Sequence, residues 1–153
     1  MKRKINHIPK ISIITVCLNS EKYLDRCLKS VLSQDYPQNK IEHIVIDGGS
    51  SDKTISIIKK YSKNLKYWHS KKDKGLYDAM NIGISKASGE IIGILNSDDF
   101  FYKNCFKTVS NYFKKNEIDF LFGSVLKKRV YHNYFPKKIF YTFNFYPSHS
   151  VSF

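Results

Sequence analysis

The chain has 153 residues, of which 42% are hydrophobic, enough for one substantial core and too few for a second full domain. Its 26 Lys and Arg residues outnumber its 13 Asp and Glu residues, and the formal net charge of +13 favours anionic partners without choosing among nucleotides, lipid surfaces and nucleic acids. Three cysteines without a CxxC spacing argue against a disulfide framework or a zinc site and indicate a reducing cytoplasm.

The hydrophobic pattern predicts strands that alternate with amphipathic helices. Strands are expected at residues 11–17, 41–46, 65–69, 90–95 and 120–125. Helices are expected at residues 24–32, 55–61, 76–87 and 102–116, where apolar residues recur at helical spacing. Asn19 and Ser20 are expected to cap the first helix, and Gly89 to terminate the third. This alternation predicts an α/β fold whose mostly parallel sheet is flanked by helices and binds ligands beyond the carboxyl ends of its strands.

Acids and amides follow three of the predicted strands. Asn19 follows the first, Asp47 closes the second, and the run 96–99 (Asn-Ser-Asp-Asp) closes the fourth. Because parallel strands end at one edge of the sheet, these groups are expected to converge on one rim. Carboxylates there can bind a divalent cation, which neutralises the diphosphate of a nucleotide sugar. The alternative for Asp98 and Asp99 is that they cap the helix that follows.

Several motifs agree with this reading in order and spacing. They are ISIITVCLN at residues 11–19, IVIDGGSSD at 44–52, KGLYDAMNIG at 74–83 and LNSDD at 95–99. Together they resemble the family 2 glycosyltransferases from residue 11 through at least residue 124, in the branch that builds bacterial polysaccharides. The resemblance implies a GT-A (Rossmann-like) fold and one domain over residues 1–153. Residues 11–124 would be its nucleotide-sugar-binding portion, and residues 125–153 the start of an incomplete acceptor-side portion.

The resemblance also implies roles for individual residues. The implied nucleotide-sugar-binding residues are Val16, Leu18, Asn19, Asp47, Lys74, Asp78, Asn81 and Asn96. Asp98, helped by Asp99, is implied to hold Mg²⁺ or Mn²⁺. Asp47 is implied to hydrogen-bond the nucleotide base; an Asx turn or helix cap is the alternative, disfavoured because residues 50–52 can already serve as caps.

Two positions depart from the family pattern. Asn96 stands where the family has the first acid of its Asp-x-Asp motif, so it can bond a ribose hydroxyl but adds no negative charge. Leu18 stands where the family often has a tyrosine, and it can pack on the base without ring stacking. For Lys74, Asp78 and Asn81, the competing interpretation is a solvated helix surface.

The sequence identifies no catalytic base. The resemblance implies an inverting transfer of a hexose or aminosugar, with a carboxylate base from later in the domain, but no acid follows Asp119. His149 could act as a base in principle, and a structural histidine is the alternative. We therefore expect an incomplete gene product or one part of a split enzyme. The competing function is a nucleotide-sugar-binding fragment without catalysis.

The segment 125–153 is basic and aromatic, which favours contact with a membrane that presents a lipid-linked acceptor. No signal peptide or membrane-spanning run is visible, so the expected location is the cytoplasm, with peripheral contact at the inner face of the membrane. The expected acceptor is a saccharide or lipid-linked saccharide. Nucleic acid is not expected as a partner, because nothing in the strand-end motifs supports it.

Overall fold

The computed structural model describes residues 7–115, 118–119, 121, 125–127 and 130–132. The strands of this part are β1 (Ile11–Cys17), β2 (Ile41–Asp47), β3 (Tyr67–Ser70), β4 (Ile91–Asn96), β5 (Val125–Lys127) and β6 (Val130–His132). The α-helices are α1 (Leu24–Leu32), α2 (Thr54–Tyr61), α3 (Leu76–Lys86) and α4 (Cys105–Lys115). Short 3-10 turns at Gln38–Lys40 and Ser62–Asn64 precede β2 and β3.

The first four strands form one parallel sheet in the order β3-β2-β1-β4, which confirms the predicted α/β architecture. Every residue of the central strand β1 is buried, because helices cover both faces of the sheet. Ile13 packs into a cluster with residues of α1 and α4, whereas its neighbour Ile14 packs into the cluster on the α3 side. This alternation is the period-two geometry of a strand buried on both faces.

Helix α3 approaches β1 closely at Gly83. A Cβ at this position would lie 2.3 Å from Cγ2 of Ile14, so any larger residue would force the helix or Ile14 to move. The prediction that Gly89 terminates α3 is wrong, since the helix ends at Lys86 and Ala87 is already extended. Gly89 instead packs against the backbone of Ser12, whose nitrogen would lie 2.7 Å from an added Cβ.

Several boundaries differ from the prediction for local reasons. The predicted cap of α1 is wrong, because this helix has no side-chain cap and the Ser20 hydroxyl donates to the carbonyl of Leu18. Helix α4 begins only at Cys105, after Asn104 with a φ of 69°. The strand predicted at residues 65–69 lies at Tyr67–Ser70, because the amide of Leu65 closes the preceding turn.

After α4 the described residues are 118–119, 121, 125–127 and 130–132. Residues 120 and 122–124 of the strand predicted at 120–125 lie outside the described residues, as does His149. Val125 begins β5, which pairs antiparallel with β6 in a separate two-stranded sheet that the pattern did not predict. Among the helices described, none is long and apolar enough to cross a membrane.

Candidate functional site

A cleft of about 540 Å³ opens at the carboxyl edge of the parallel sheet, between the ends of β1, β2 and β4. The structure brings five of the sequence-predicted site residues together in its lining: Val16, Leu18, Asn19, Asn96 and Asp98. They meet there because the sheet is parallel and all its strands end at this edge.

Hydrogen bonds tie the loop after β1 to the loops after β2 and β4. The backbone N–H of Asn19 donates to Oγ of Ser50 at 2.8 Å, and Oδ1 of Asn19 accepts the N–H of Ser51 at 2.9 Å. On the other side, the Oγ atoms of Ser20 and Ser97 lie 2.8 Å apart. Asn19 has a φ of 48°, a left-handed conformation that asparagine tolerates better than most residues. Hydrogen bonds therefore hold together the loops that follow β1, β2 and β4.

Asp47 lies at the end of β2 and is fully buried. Oδ2 accepts the N–H groups of Gly49 and Ser50 at 3.2 and 2.9 Å and the hydroxyl of Ser70 at 2.6 Å. Oδ1 accepts the hydroxyl of Ser50 and contacts Sγ of Cys17 at 3.6 Å. The bonds to Gly49 and Ser50 form the Asx turn that sequence reasoning disfavoured, and the carboxylate does not line the cleft. Its contact with a nucleotide stays a prediction.

Two glycines after β2 leave room for the segment that follows β3 to pack against them. A Cβ at Gly48 would lie 3.0 Å from Oδ2 of Asp73, and a Cβ at Gly49 would lie 3.1 Å from the backbone nitrogen of Lys72. Gly49 also has a φ of 90°, which larger residues rarely adopt. The absence of side chains here lets Asp73 reach the cleft wall, where it stands beside Gly48.

Asp98 lies on the exposed edge of the cleft, at the end of β4. The backbone N–H of Asp99 donates to the carbonyl of Asn96 at 3.0 Å, which forms a turn, and Asp99 itself does not line the cleft. Nη2 of Arg26 donates to the carbonyl oxygen of Asp98 at 3.3 Å. Because α4 starts at Cys105, neither acid caps that helix, so the alternative reading of the pair loses support.

The described residues contain no group of three or more His, Cys, Asp or Glu side chains placed to hold a metal ion. Mg²⁺ and Mn²⁺ are commonly held by one or two carboxylates together with substrate phosphates. Asp98 fits such a site as a single exposed carboxylate beside the amide of Asn96.

The structure does not bring Lys74, Asp78 and Asn81 into the lining of the cleft. Oδ2 of Asp78 accepts the N–H of Lys74 at 3.0 Å, which stabilises the start of α3. The side chains of Lys74 and Asn81 are exposed. Their roles toward a substrate stay predictions.

Sequence reasoning missed several residues that line the cleft: Cys17, Ser20, Tyr23, Gly48, Asp73, Gly75, Leu76, Ala79 and Ser97. For Asp73 a signal was present, because Asp-x-Gly is a turn pattern and Oδ1 of Asp73 accepts the N–H of Gly75 at 2.9 Å. Burial, reinforced by the charge of Asp47, raises the pKa of the Cys17 thiol, which makes it a poor nucleophile.

Comparison with known proteins agrees with this geometry. The family model described as Glycosyl transferase family 2 matches residues 12–151. The chain belongs to this family. It is therefore a glycosyltransferase by family, and the expected GT-A fold is confirmed.

Individual relatives and solved structures show how far the likeness extends. An uncharacterized glycosyltransferase of Mycobacterium tuberculosis is 45% identical over 93 residues, which cover 61% of this chain and 35% of the relative. Staphylococcus aureus TarS 1–349 in complex with UDP-GlcNAc has a TM-score of 0.67 at 30% identity, over 72% of this chain and 33% of that one. The mannosyltransferase PcManGT of Pyrobaculum calidifontis, in complex with GDP-Man and Mn²⁺, has a TM-score of 0.63 at 25% identity, over 71% and 32%. The chain thus matches about a third of the length of each of these chains, and about a fifth of full-length TarS.

Proposed function

We propose that the cleft binds a nucleotide-diphosphate sugar, and that residues 11–124 form the donor-binding portion of a glycosyltransferase. The observation that carries this proposal is the meeting of Leu18, Asn19, Asn96 and Asp98 at the carboxyl edge of a parallel sheet. The structural likeness to TarS with UDP-GlcNAc and to PcManGT with GDP-Man supports it. The reaction is transfer of a hexose or aminosugar to a polysaccharide or lipid-linked acceptor with inversion at the anomeric carbon.

The residues of the cleft divide by chemistry. Leu18 and Leu76 are 59% and 52% exposed and offer apolar surface to the faces of a base, with Val16 beneath them. Asn96 is assigned to a ribose hydroxyl, which its amide can hydrogen-bond. Asp98 is assigned to Mg²⁺ or Mn²⁺; a bound cation would neutralise charge on the diphosphate as it leaves.

Residues around the cleft are assigned supporting roles. Lys74 is a point charge for the diphosphate, and Asp78 and Asn81, at i and i+3 on α3, are assigned to the sugar. Asp47, whose carboxylate orders the loop beside the cleft, is assigned to a hydrogen bond with the nucleotide base. Asp99 is a helper of Asp98 at the cation.

The acceptor is proposed to reach the site at a membrane surface. The net charge of +13 supports peripheral attraction to anionic headgroups, at roughly 1 kcal/mol for each lysine or arginine near the surface. A second candidate, binding of the nucleotide sugar without transfer, is favoured by Asn96, since an amide in place of an acid weakens the hold on a cation. Release of free sugar or transfer product from a bound donor would argue against that second candidate.

The donor site is tested by calorimetric titration of UDP and GDP, each with and without Mn²⁺. We expect Mn²⁺-dependent binding of one of them, lost in Asp98→Ala and retained in Asp35→Ala. Asp35 is a matched control because its side chain is 62% exposed and its Oδ2 lies 3.8 Å from Nζ of Lys107. Failure of both nucleotides to bind a chain shown to be folded by circular dichroism would refute the proposal.

A further inference from the structure

The loop between β4 and α4, residues 97–104, carries Asp98 and lies against one side of α1. We propose that Arg26 of α1 is a positioning residue for the cation site, because it holds the backbone of Asp98 while the Asp98 side chain borders the cleft. The inference rests on the proposed function, since it concerns the cation that Asp98 is assigned to bind. It adds a residue that neither the strand-end motifs nor the lining of the cleft includes.

Two buried side chains at α1 hold the far part of this loop. Oγ of Ser30 accepts the N–H of Phe101 at 3.1 Å. Nε2 of Gln34, just beyond the end of α1, donates to the carbonyl of Tyr102 at 2.9 Å. Arg26, Ser30 and Gln34 stand at i, i+4 and i+8, so they follow one ridge of the helix. Arg26 therefore extends toward Asp98 a row of contacts that already holds residues 101 and 102.

The guanidinium of Arg26 contacts the residues on both sides of Asp99. Nη2 donates to the carbonyl oxygen of Asp98 at 3.3 Å, and Cζ lies 4.4 Å from the centre of the Phe100 ring. A planar guanidinium can donate through its N–H groups while its face rests on an aromatic ring. The centre of the Phe100 ring is in turn 5.5 Å from that of Tyr102. One side chain thus connects the turn that carries Asp98 with the aromatic residues that follow it.

Arg26 lies outside the donor cleft, in the lining of a separate surface pocket of about 560 Å³. Apart from its charge, it can act on a ligand in the cleft only through the Asp98 backbone that it holds. Fixing this backbone favours cation binding, because a site that must be ordered on binding loses affinity. The effect matters more in this chain, since Asn96 supplies no second negative charge.

Charge and position predict opposite effects of Arg26 on a cation at Asp98. The guanidinium is positive, so its direct electrostatic effect on Mn²⁺ is repulsive, and its removal would tighten binding. Loss of positioning would instead weaken binding, because the cation itself would have to order the Asp98 turn. The direction of the change in Mn²⁺ affinity therefore separates the two effects.

The substitution Arg26→Ala tests the positioning role. With Mn²⁺ titrated without nucleotide and followed by electron paramagnetic resonance, we expect the affinity for Mn²⁺ to fall by about fivefold. Calorimetric binding of UDP or GDP should weaken at low Mn²⁺ and recover when Mn²⁺ is raised to saturation. A general structural defect in the cleft would not be repaired by more cation.

Lys29→Ala is the matched control. It removes the same charge from the same pocket, but the Lys29 ammonium pairs with Asp25 at 2.7 Å. We expect Mn²⁺ affinity not to fall in this variant. Phe100→Ala should lower Mn²⁺ affinity as Arg26→Ala does. The double variant should lose less than the product of the two single losses, because the ring and the guanidinium hold the loop jointly.

The outcomes for this inference and for the donor site are distinguishable. Unchanged or tighter Mn²⁺ binding in Arg26→Ala, an equal loss in Lys29→Ala, or nucleotide binding that saturating Mn²⁺ does not restore would overturn the inference and leave the donor site standing. Absence of Mn²⁺-dependent binding of both UDP and GDP to the folded unsubstituted chain would instead overturn the proposed function itself.

Discussion

The hydroxyl of Ser70 donates a 2.6 Å hydrogen bond to Oδ2 of Asp47, which joins the end of β3 to the end of β2. The same carboxylate accepts hydrogen bonds from the N–H groups of Gly49 and Ser50, so one buried side chain orders the turn on one side of the cleft. A buried carboxylate is tolerated only when donors satisfy it, and here they do. The shape of this wall therefore depends on an acid that the cleft does not expose.

Replacing Asp47 by Asn should destabilise the chain. The amide puts an NH₂ group against donors from Ser50, Ser70 and the backbone, and leaves at least one of them without an acceptor. We expect the free energy of unfolding to fall by about 3 kcal/mol, read from the urea midpoint at constant slope. Asp35→Asn, the exposed control, should shift it by less than about 0.5 kcal/mol. Equal midpoints for the two variants would contradict this account of Asp47.

Asn96→Asp should strengthen cation binding in the cleft. The change places a second carboxylate beside Asp98 at the end of β4, and Mn²⁺ affinity rises with the charge of its oxygen ligands. We expect Mn²⁺, titrated without nucleotide and followed by electron paramagnetic resonance, to bind on the order of tenfold more tightly.

Asn64→Asp is the matched control for this experiment. It adds the same charge in an exposed turn before β3, at the opposite edge of the sheet. Long-range attraction alone would raise Mn²⁺ affinity similarly in both variants, and that result would speak against a cation site at Asp98. Asp98→Asn in the Asn96→Asp background should remove the gain.

His43 should make the fold sensitive to mild acid. It is 2% exposed, its Nε2 lies 2.9 Å from Oγ1 of Thr15, and its Nδ1 has no partner in the described part of the chain. Burial lowers the pKa of His43 to about 3, so the folded state keeps the ring neutral. The unfolded chain takes up this proton below its ordinary pKa of about 6.5, so stability is complete above that value and is lost as pH falls toward 3.

Urea unfolding at pH 6.5 and 5.0 measures this effect. We expect a loss of about 2 kcal/mol from His43 across the interval, and a smaller loss in His43→Leu. Glu42 is the internal comparison: burial acts to raise its pKa, but Lys10, Ser12 and Ser88 outweigh burial and lower the pKa to about 2. Its contribution is therefore lost only as pH falls below about 4.5. An equal loss of unfolding free energy in His43→Leu would contradict the assignment of this loss to the His43 ring.

Local patterns were enough to predict most of the scaffold. The apolar runs of β1 and β2 and the helical spacing in α1 and α3 are patterns of residues close together in the sequence. The parallel direction of the strands follows from the alternation of strands and helices. The meeting of Asn19, Asn96 and Asp98 at one edge follows in turn, because parallel strands share a direction. The starts of the helices were less predictable. Asn104 has a left-handed backbone conformation before α4, and the hydroxyl of Ser20 forms a hydrogen bond with that of Ser97 instead of capping α1.

The residue sequence by itself thus determined the family, the alternation of strands and helices and the edge at which the site lies. Only the tertiary structure decided the order of the strands in the sheet and which carboxylates line the cleft. Asp47 and Asp73 are the same residue type in similar turns, yet Asp47 is sealed by Ser70 from the next strand, whereas Asp73 borders the cleft beside Gly48. Both outcomes depend on contacts between residues more than twenty positions apart, which local patterns of polarity do not encode. Packing between loops therefore determines which of these acids is buried and which borders the cleft.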